Sequence, residues 1–216
     1  MARASRQSRR ISGEQYDNLV SAQEFAARLL QPVNHMLVVH WENALDGDAD
    51  EAAVRHHDGR LRERIRKWLC RRNVVFHEIW TMERGEIADG LHVNHLFHLP
   101  SVPRSLRKAF VKKLADWTGI DAGVSNDPNV IGVAERRHPG ESPIWKLKKF
   151  YGGERRFDVA FEYATKTRKR RHECLIRGKR CGTSQSLSLK ARSKTGNNAR
   201  QRAPDSPNVF SGGLGA

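Results

Sequence analysis

Cysteine is scarce in this chain: 216 residues contain three, Cys70, Cys174 and Cys181. An odd, sparse set builds no disulfide framework and fits a reducing compartment. His172, Cys174 and Cys181 are too few and too irregularly spaced for a structural zinc site. Long apolar runs are lacking too. No stretch reaches the length of a membrane span. The basic start, Met1–Arg10, is followed by no apolar core of the kind a secretory signal carries. These absences lead us to expect a cytoplasmic protein with no membrane partner. Acidic residues are outnumbered: 24 Asp and Glu face 39 Lys and Arg, for a net charge of +15. A charge that far from zero attracts polyanions, and nucleic acid is the usual one inside a cell. A soluble protein with basic tails has the same composition.

The order of elements follows from periodicity. Ser21-Ala22-Gln23-Glu24 has the form of a capping box, and Phe25, Leu29 and Leu30 share one face of a short helix behind it. Pro32 ends that helix. His35–Trp41 is short, apolar and valine-rich, which predicts a strand. Leu61, Ile65, Trp68 and Leu69 recur at helical spacing between Arg60 and Arg72, with basic residues on the solvated side. Val74–Arg84 and Leu91–Leu99 predict two more strands, joined by a hairpin loop over 85–90. Pro103 suits a first helical position. Leu106, Phe110, Leu114 and Trp117 mark the helix behind it, and Gly119 stops it. Val130–Ala134 predicts a fourth strand, and Ile144–Tyr151 a helix after Pro143.

The order β-α-β-β-α-β predicts an α+β domain: a ferredoxin- or RRM-like antiparallel sheet with helices on one face. The chain divides into a basic arm and short helix over 1–33, this domain over 34–190, and a basic tail over 191–216. The tail is rich in Ser, Gly, Asn, Arg and Lys and is expected to be disordered.

Three histidines, His92, His95 and His98, fall within one predicted strand. Strand alternation sorts them. Leu91, Val93, His95, Phe97 and Leu99 share one face, apolar apart from His95, which should pack on the helices. His92, Asn94, Leu96 and His98 share the other face, expected to be open. These histidines could equally be ordinary strand residues with no ligand.

Gly90-Leu91-His92-Val93-Asn94-His95-Leu96-Phe97-His98-Leu99-Pro100 resembles the metal-binding strand of HUH-type rolling-circle replication initiators, as it occurs in bacterial plasmid and phage-like replication proteins. The match anchors on His92-Val93 and His98-Leu99-Pro100. It departs at Asn94, where the family carries its second histidine. Asn94 could offer a carbonyl oxygen to a hard cation. His95 could take over if a bulge turned it. The metal site could also be degraded. The resemblance implies Mg or Mn held by His92, Asn94 and His98. Glu83 is a further ligand candidate, with Glu78 and His40 as weaker neighbours.

The family's chemistry is tyrosine attack on a DNA phosphodiester, from a Tyr-x-x-Lys pattern on a helix after the sheet. The only tyrosines here are Tyr16, Tyr151 and Tyr163. By distance from the histidine strand, Trp145 occupies the tyrosine position, with Lys148 three residues on. Tyr151 lies close behind. Tyr163-Ala164-Thr165-Lys166 matches the pattern but comes later than expected. Both tyrosines could instead be packing residues.

A second match is Gly178-Lys179-Arg180-Cys181-Gly182-Thr183-Ser184, which resembles a Gly-Lys-Arg-Cys-Gly-x-Ser segment of the same proteins. Lys179, Arg180, Thr183 and Ser184 would grip DNA phosphates, helped by Arg170 and Arg171 in the basic run before them. A plain basic turn fits the same residues.

The resemblance implies a replication initiator that nicks and rejoins single-stranded or hairpin origin DNA, with a host helicase as a candidate partner. Two alternatives stand beside it. One is a non-catalytic DNA-binding descendant of the family. The other is an RNA-binding RRM-like module, although its usual open-face aromatics are missing.

Overall fold

The computed structural model describes residues 7–8, 10–45, 50–84, 90–100, 104–119, 130–134, 144–149, 160–165, 176–177 and 180–194. In chain order the elements are β1 (Gln7–Ser8), α1 (Gly13–Arg28), β2 (His35–His40), α2 (Trp41–Ala44) and α3 (Glu51–Cys70). Next come β3 (Glu78–Arg84), β4 (Leu91–Phe97), α4 (Arg104–Thr118), β5 (Val130–Ala134) and β6 (Trp145–Lys149). A short helix α5 over 160–164 is followed by β7 (Ile176–Arg177) and β8 (Cys181–Thr183). The architecture is α+β, with a six-stranded sheet in the order β5-β6-β2-β4-β3-β8. Every neighbouring pair in it is antiparallel.

Alternation decides what each face of the sheet does. On β4, Leu91, Val93 and Phe97 join Leu37, Val39, Trp80, Met82, Trp145 and Leu147 in the larger core, which α3 and α4 cover. Helix α3 presents Val54, Leu61, Ile65, Trp68 and Leu69 there, and α4 presents Phe110 and Leu114. Each such side chain contributes roughly 1.5–3 kcal/mol when fully buried.

The opposite face was expected to be open, and it is covered. Leu19, Ala22, Phe25 and Ala26 of α1 pack with Met36, Ile79 and Leu96, and Ala160, Phe161 and Ala164 of α5 join them. Helices therefore lie on both faces. The reason is local: Met36, Ile79 and Leu96 form an apolar strip across three strands that needs a cover. Helix α1 also starts earlier than expected. Ser12, not Ser21, caps it, accepting from Gln15 N at 3.2 Å while Gln15 Oε1 accepts from Ser12 N at 2.9 Å.

The expected helix at 144–151 is a strand over 145–149. Trp145 and Leu147 point into the core while Lys146 and Lys148 oppose Val38 and Met36 on the other face. That is a period of two, and it outweighs the proline signal before it. Strand β6 takes the place beside β2 and moves β5 to the sheet edge.

Gly90 shapes the start of β4. Its φ is +47°, and a Cβ there would fall 1.7 Å from Glu42 Oε2. That carboxylate accepts from Leu91 N at 3.0 Å and pins the strand to α2. Among the described residues, Cys70 is an exposed free thiol and Cys181 is buried. No described helix is long and apolar enough to cross a membrane.

Candidate functional site

Three strands bring polar side chains together at one end of the α1/α5 face. His92 on β4 lies directly opposite His40 on β2 and Glu83 on β3. The His92 and His40 rings stack with centroids 5.2 Å apart. His92 Nε2 lies 3.1 Å from Glu83 Oε2, so a ring N–H there donates to the carboxylate. His92 and Glu83 are both buried. A buried carboxylate is costly without such a partner, so the pair holds itself in place.

Two residues along, Asn94 lies opposite Thr81 and Val38. Asn94 Nδ2 donates to Thr81 Oγ1 at 3.3 Å, and Thr81 Oγ1 donates to the Ala164 carbonyl at 2.5 Å. The end of α5 is therefore latched onto the sheet beside Asn94. Asn94 is fully buried, and its Oδ1 has no hydrogen-bond partner among the described residues. A buried carbonyl oxygen without a donor keeps its acceptor capacity, which a cation could use.

The donors fit a metal only in part. Among the described residues no three His, Cys, Asp or Glu side chains form a metal-ligand group. His92, Glu83 and the Asn94 oxygen make a mixed nitrogen and oxygen set. That set suits a hard divalent cation that keeps several waters, not a closed zinc cage.

The structure does not bring His98 to this group. His98 follows the far end of β4, six residues from His92, which is about 20 Å along a strand. Its Nδ1 donates to the Pro32 carbonyl at 2.8 Å. Its neighbours there are His35 and His77, whose charged forms it opposes. Burial first, then Lys149, His98 and Arg107, push the His35 pKa down to about 3. Burial first, then His98, pushes His77 down to about 4.

Tyr163 stands on α5 and is 47% exposed, while its neighbours Phe161 and Ala164 are buried. Lys148 is an exposed residue of β6 on the α1/α5 side of the sheet, not part of a helix. Trp145 is fully buried and donates from Nε1 to Thr118 Oγ1 at 3.1 Å, so it is a core residue. Tyr151, Lys166, Lys179, Arg170, Arg171, His172 and Cys174 lie outside the described residues.

The expected phosphate grip is largely an edge strand. Arg180 is buried, and Ser184 exchanges two hydrogen bonds with the Glu78 backbone, at 2.9 and 3.0 Å. Thr183 and Ser184 line a groove of about 860 Å³ against α3. Its arginines are already committed, Arg62 to Glu78 at 2.9 Å and Arg66 to Glu63 at 2.7 Å.

A second polar cluster lies on the α3/α4 face. His95 is fully buried, with Nδ1 2.8 Å from Glu78 Oε1 and Nε2 3.0 Å from Asp58 Oδ1. Trp41 Nε1 donates to the same Asp58 oxygen at 3.2 Å. Burial opposes the charged ring, but Asp58 and then Glu78 outweigh it and raise the His95 pKa to about 9. His95 is therefore an imidazolium that ties α3 to the sheet. Glu78 belongs to this face and not to the His92 group. Asp58 escaped the reading of the sequence because the predicted helix begins at Arg60, whereas α3 begins at Glu51. Its position betrays it: 54, 58, 61 and 65 form one helical stripe, and an aspartate on an apolar stripe needs a partner.

No family model, curated protein or solved structure matches this chain.

Proposed function

We propose that the chain is a DNA-binding protein of the rolling-circle initiator type, which nicks and rejoins single-stranded or hairpin DNA through Tyr163. The observation that carries this reading is the His92–Glu83 pair beside the donorless Asn94 oxygen, with the tyrosine-bearing helix latched to Thr81, two residues from Glu83. The basic composition supports it. In this reading Tyr163 Oη bonds to a backbone phosphorus and releases the 3′ oxygen, and its proton passes to solvent. A divalent cation such as Mg or Mn, when bound, supplies charge to the phosphate oxygens. His92, Glu83 and Asn94 would hold it. Glu83 orients the His92 ring, and Thr81 fixes α5 relative to Asn94. Lys148 lies on the same side of the sheet as a phosphate contact. A nicking assay on single-stranded fragments of the chain's own replicon, with Mn, tests the reading. Cleavage lost in Tyr163→Phe and on chelation is expected. No cleavage by the unsubstituted chain would refute it.

One observation favours a non-catalytic DNA-binding descendant instead. Glu83, His92 and Asn94 are all buried, and Asn94 already donates to Thr81. That reading expects DNA binding that weakens with salt and is indifferent to chelator.

A further inference from the structure

We propose that a pocket between α2, α3 and the end of α4 seats a base of single-stranded DNA. The proposal rests on the DNA-binding reading but not on the metal or the tyrosine. The pocket has a volume of about 340 Å³; exposed His57 and half-buried Trp117 give it aromatic surface, and buried Trp41 backs it. Each is positioned by its own contacts. Trp41 Nε1 is held by Asp58, and the His57 ring tilts against Trp41 with centroids 6.0 Å apart. Trp117 packs edge-on to Phe110, and its carbonyl accepts from Arg64 Nη1 at 3.1 Å.

Arg60 and Arg64 stand one helical turn apart on the rim. Arg60 is exposed and forms no ion pair among the described residues. Asp116 is the acidic lining residue, and Lys113 at 2.9 Å balances it. Aromatic faces take bases of any sequence by stacking, while arginines beside them take the phosphates. That combination fits a single strand, whose bases are free, and not a duplex, whose bases are already stacked.

Position gives the pocket its meaning. His40 ends β2 against His92, and the next residue, Trp41, lines the pocket. The pocket and the His92 group thus share one end of the sheet on opposite faces. A strand anchored by a base against His57, in front of Trp41, leads around that end toward His92.

The test is anisotropy of a labelled short oligothymidylate over a salt series. His57→Ala and Arg60→Gln alter exposed residues and should leave the fold intact. His57→Ala is expected to weaken binding about tenfold with little change in salt slope. Arg60→Gln is expected to lower that slope by about one. Unchanged affinity and slope in both variants would overturn the pocket while leaving strand cleavage standing. Loss of cleavage in Tyr163→Phe, with full oligothymidylate affinity, would keep the pocket and separate it from the chemistry. Tighter binding of an oligouridylate or of the paired duplex would overturn the assignment to single-stranded DNA. No binding by the unsubstituted chain would overturn the pocket and the DNA-binding reading together.

Discussion

His95 and His92 lie three residues apart on β4 and have opposite surroundings. His92 meets one carboxylate, Glu83. His95 sits between two, and they hold it charged, with a pKa near 9. The raised value makes stability depend on pH. Between 6.5 and about 9 the folded chain keeps a proton that the unfolded chain releases. The contribution is full below 6.5 and is lost as pH rises through 9. His35 and His77 act in acid. Their lowered values mean the unfolded chain takes up protons first, so stability falls as pH drops from 6.5 toward 3. Urea unfolding across pH should therefore show a maximum near 6.5. His95→Gln should flatten the alkaline side and cost ~3–5 kcal/mol, because Asp58 and Glu78 lose a buried cation. An unchanged alkaline slope in that variant would contradict the assignment.

At the scale of elements, much of the fold was legible. Strands β2 and β4, helices α3 and α4, and β5 follow from periodicity, because each has a continuous apolar face. Alternation alone placed Leu91, Val93 and Phe97 in one core, and His92 and Asn94 on the other side. Strand β6 was misread because five residues after a proline offer too few turns of either period to count. The cover over the second face was missed because Met36, Ile79 and Leu96 become one strip only once three strands are in register. The gathering of His40 and Glu83 around His92 depends on that same register. Thr81 joins two elements that the sequence leaves unconnected. Thr81→Val should cost ~1–3 kcal/mol, since it strands the Ala164 carbonyl and the Asn94 amide. Urea unfolding measures the loss. Hydrogen exchange should show faster opening across 160–165. Equal protection there in both proteins would mean the latch holds nothing.

The whole molecule puts a buried polar group on one face of a sheet and a basic, aromatic pocket on the other. Trp41 and His40 join them at one end. Helix α4 adds Arg104, Arg107, Lys108, Lys112 and Lys113 against a single acidic residue, Asp116. The α3/α4 side therefore attracts polyanions at long range. The His92 side carries the pair and the tyrosine helix that the proposed chemistry would use. The central claim is that Tyr163 forms the covalent link. Its most direct test is mass spectrometry of the chain after incubation with Mn and single-stranded DNA from the region that encodes it, followed by nuclease and protease digestion. The account predicts a nucleotide-bearing peptide containing Tyr163. A chain with no DNA-linked peptide, or one linked at Tyr16 or Tyr151, would contradict it.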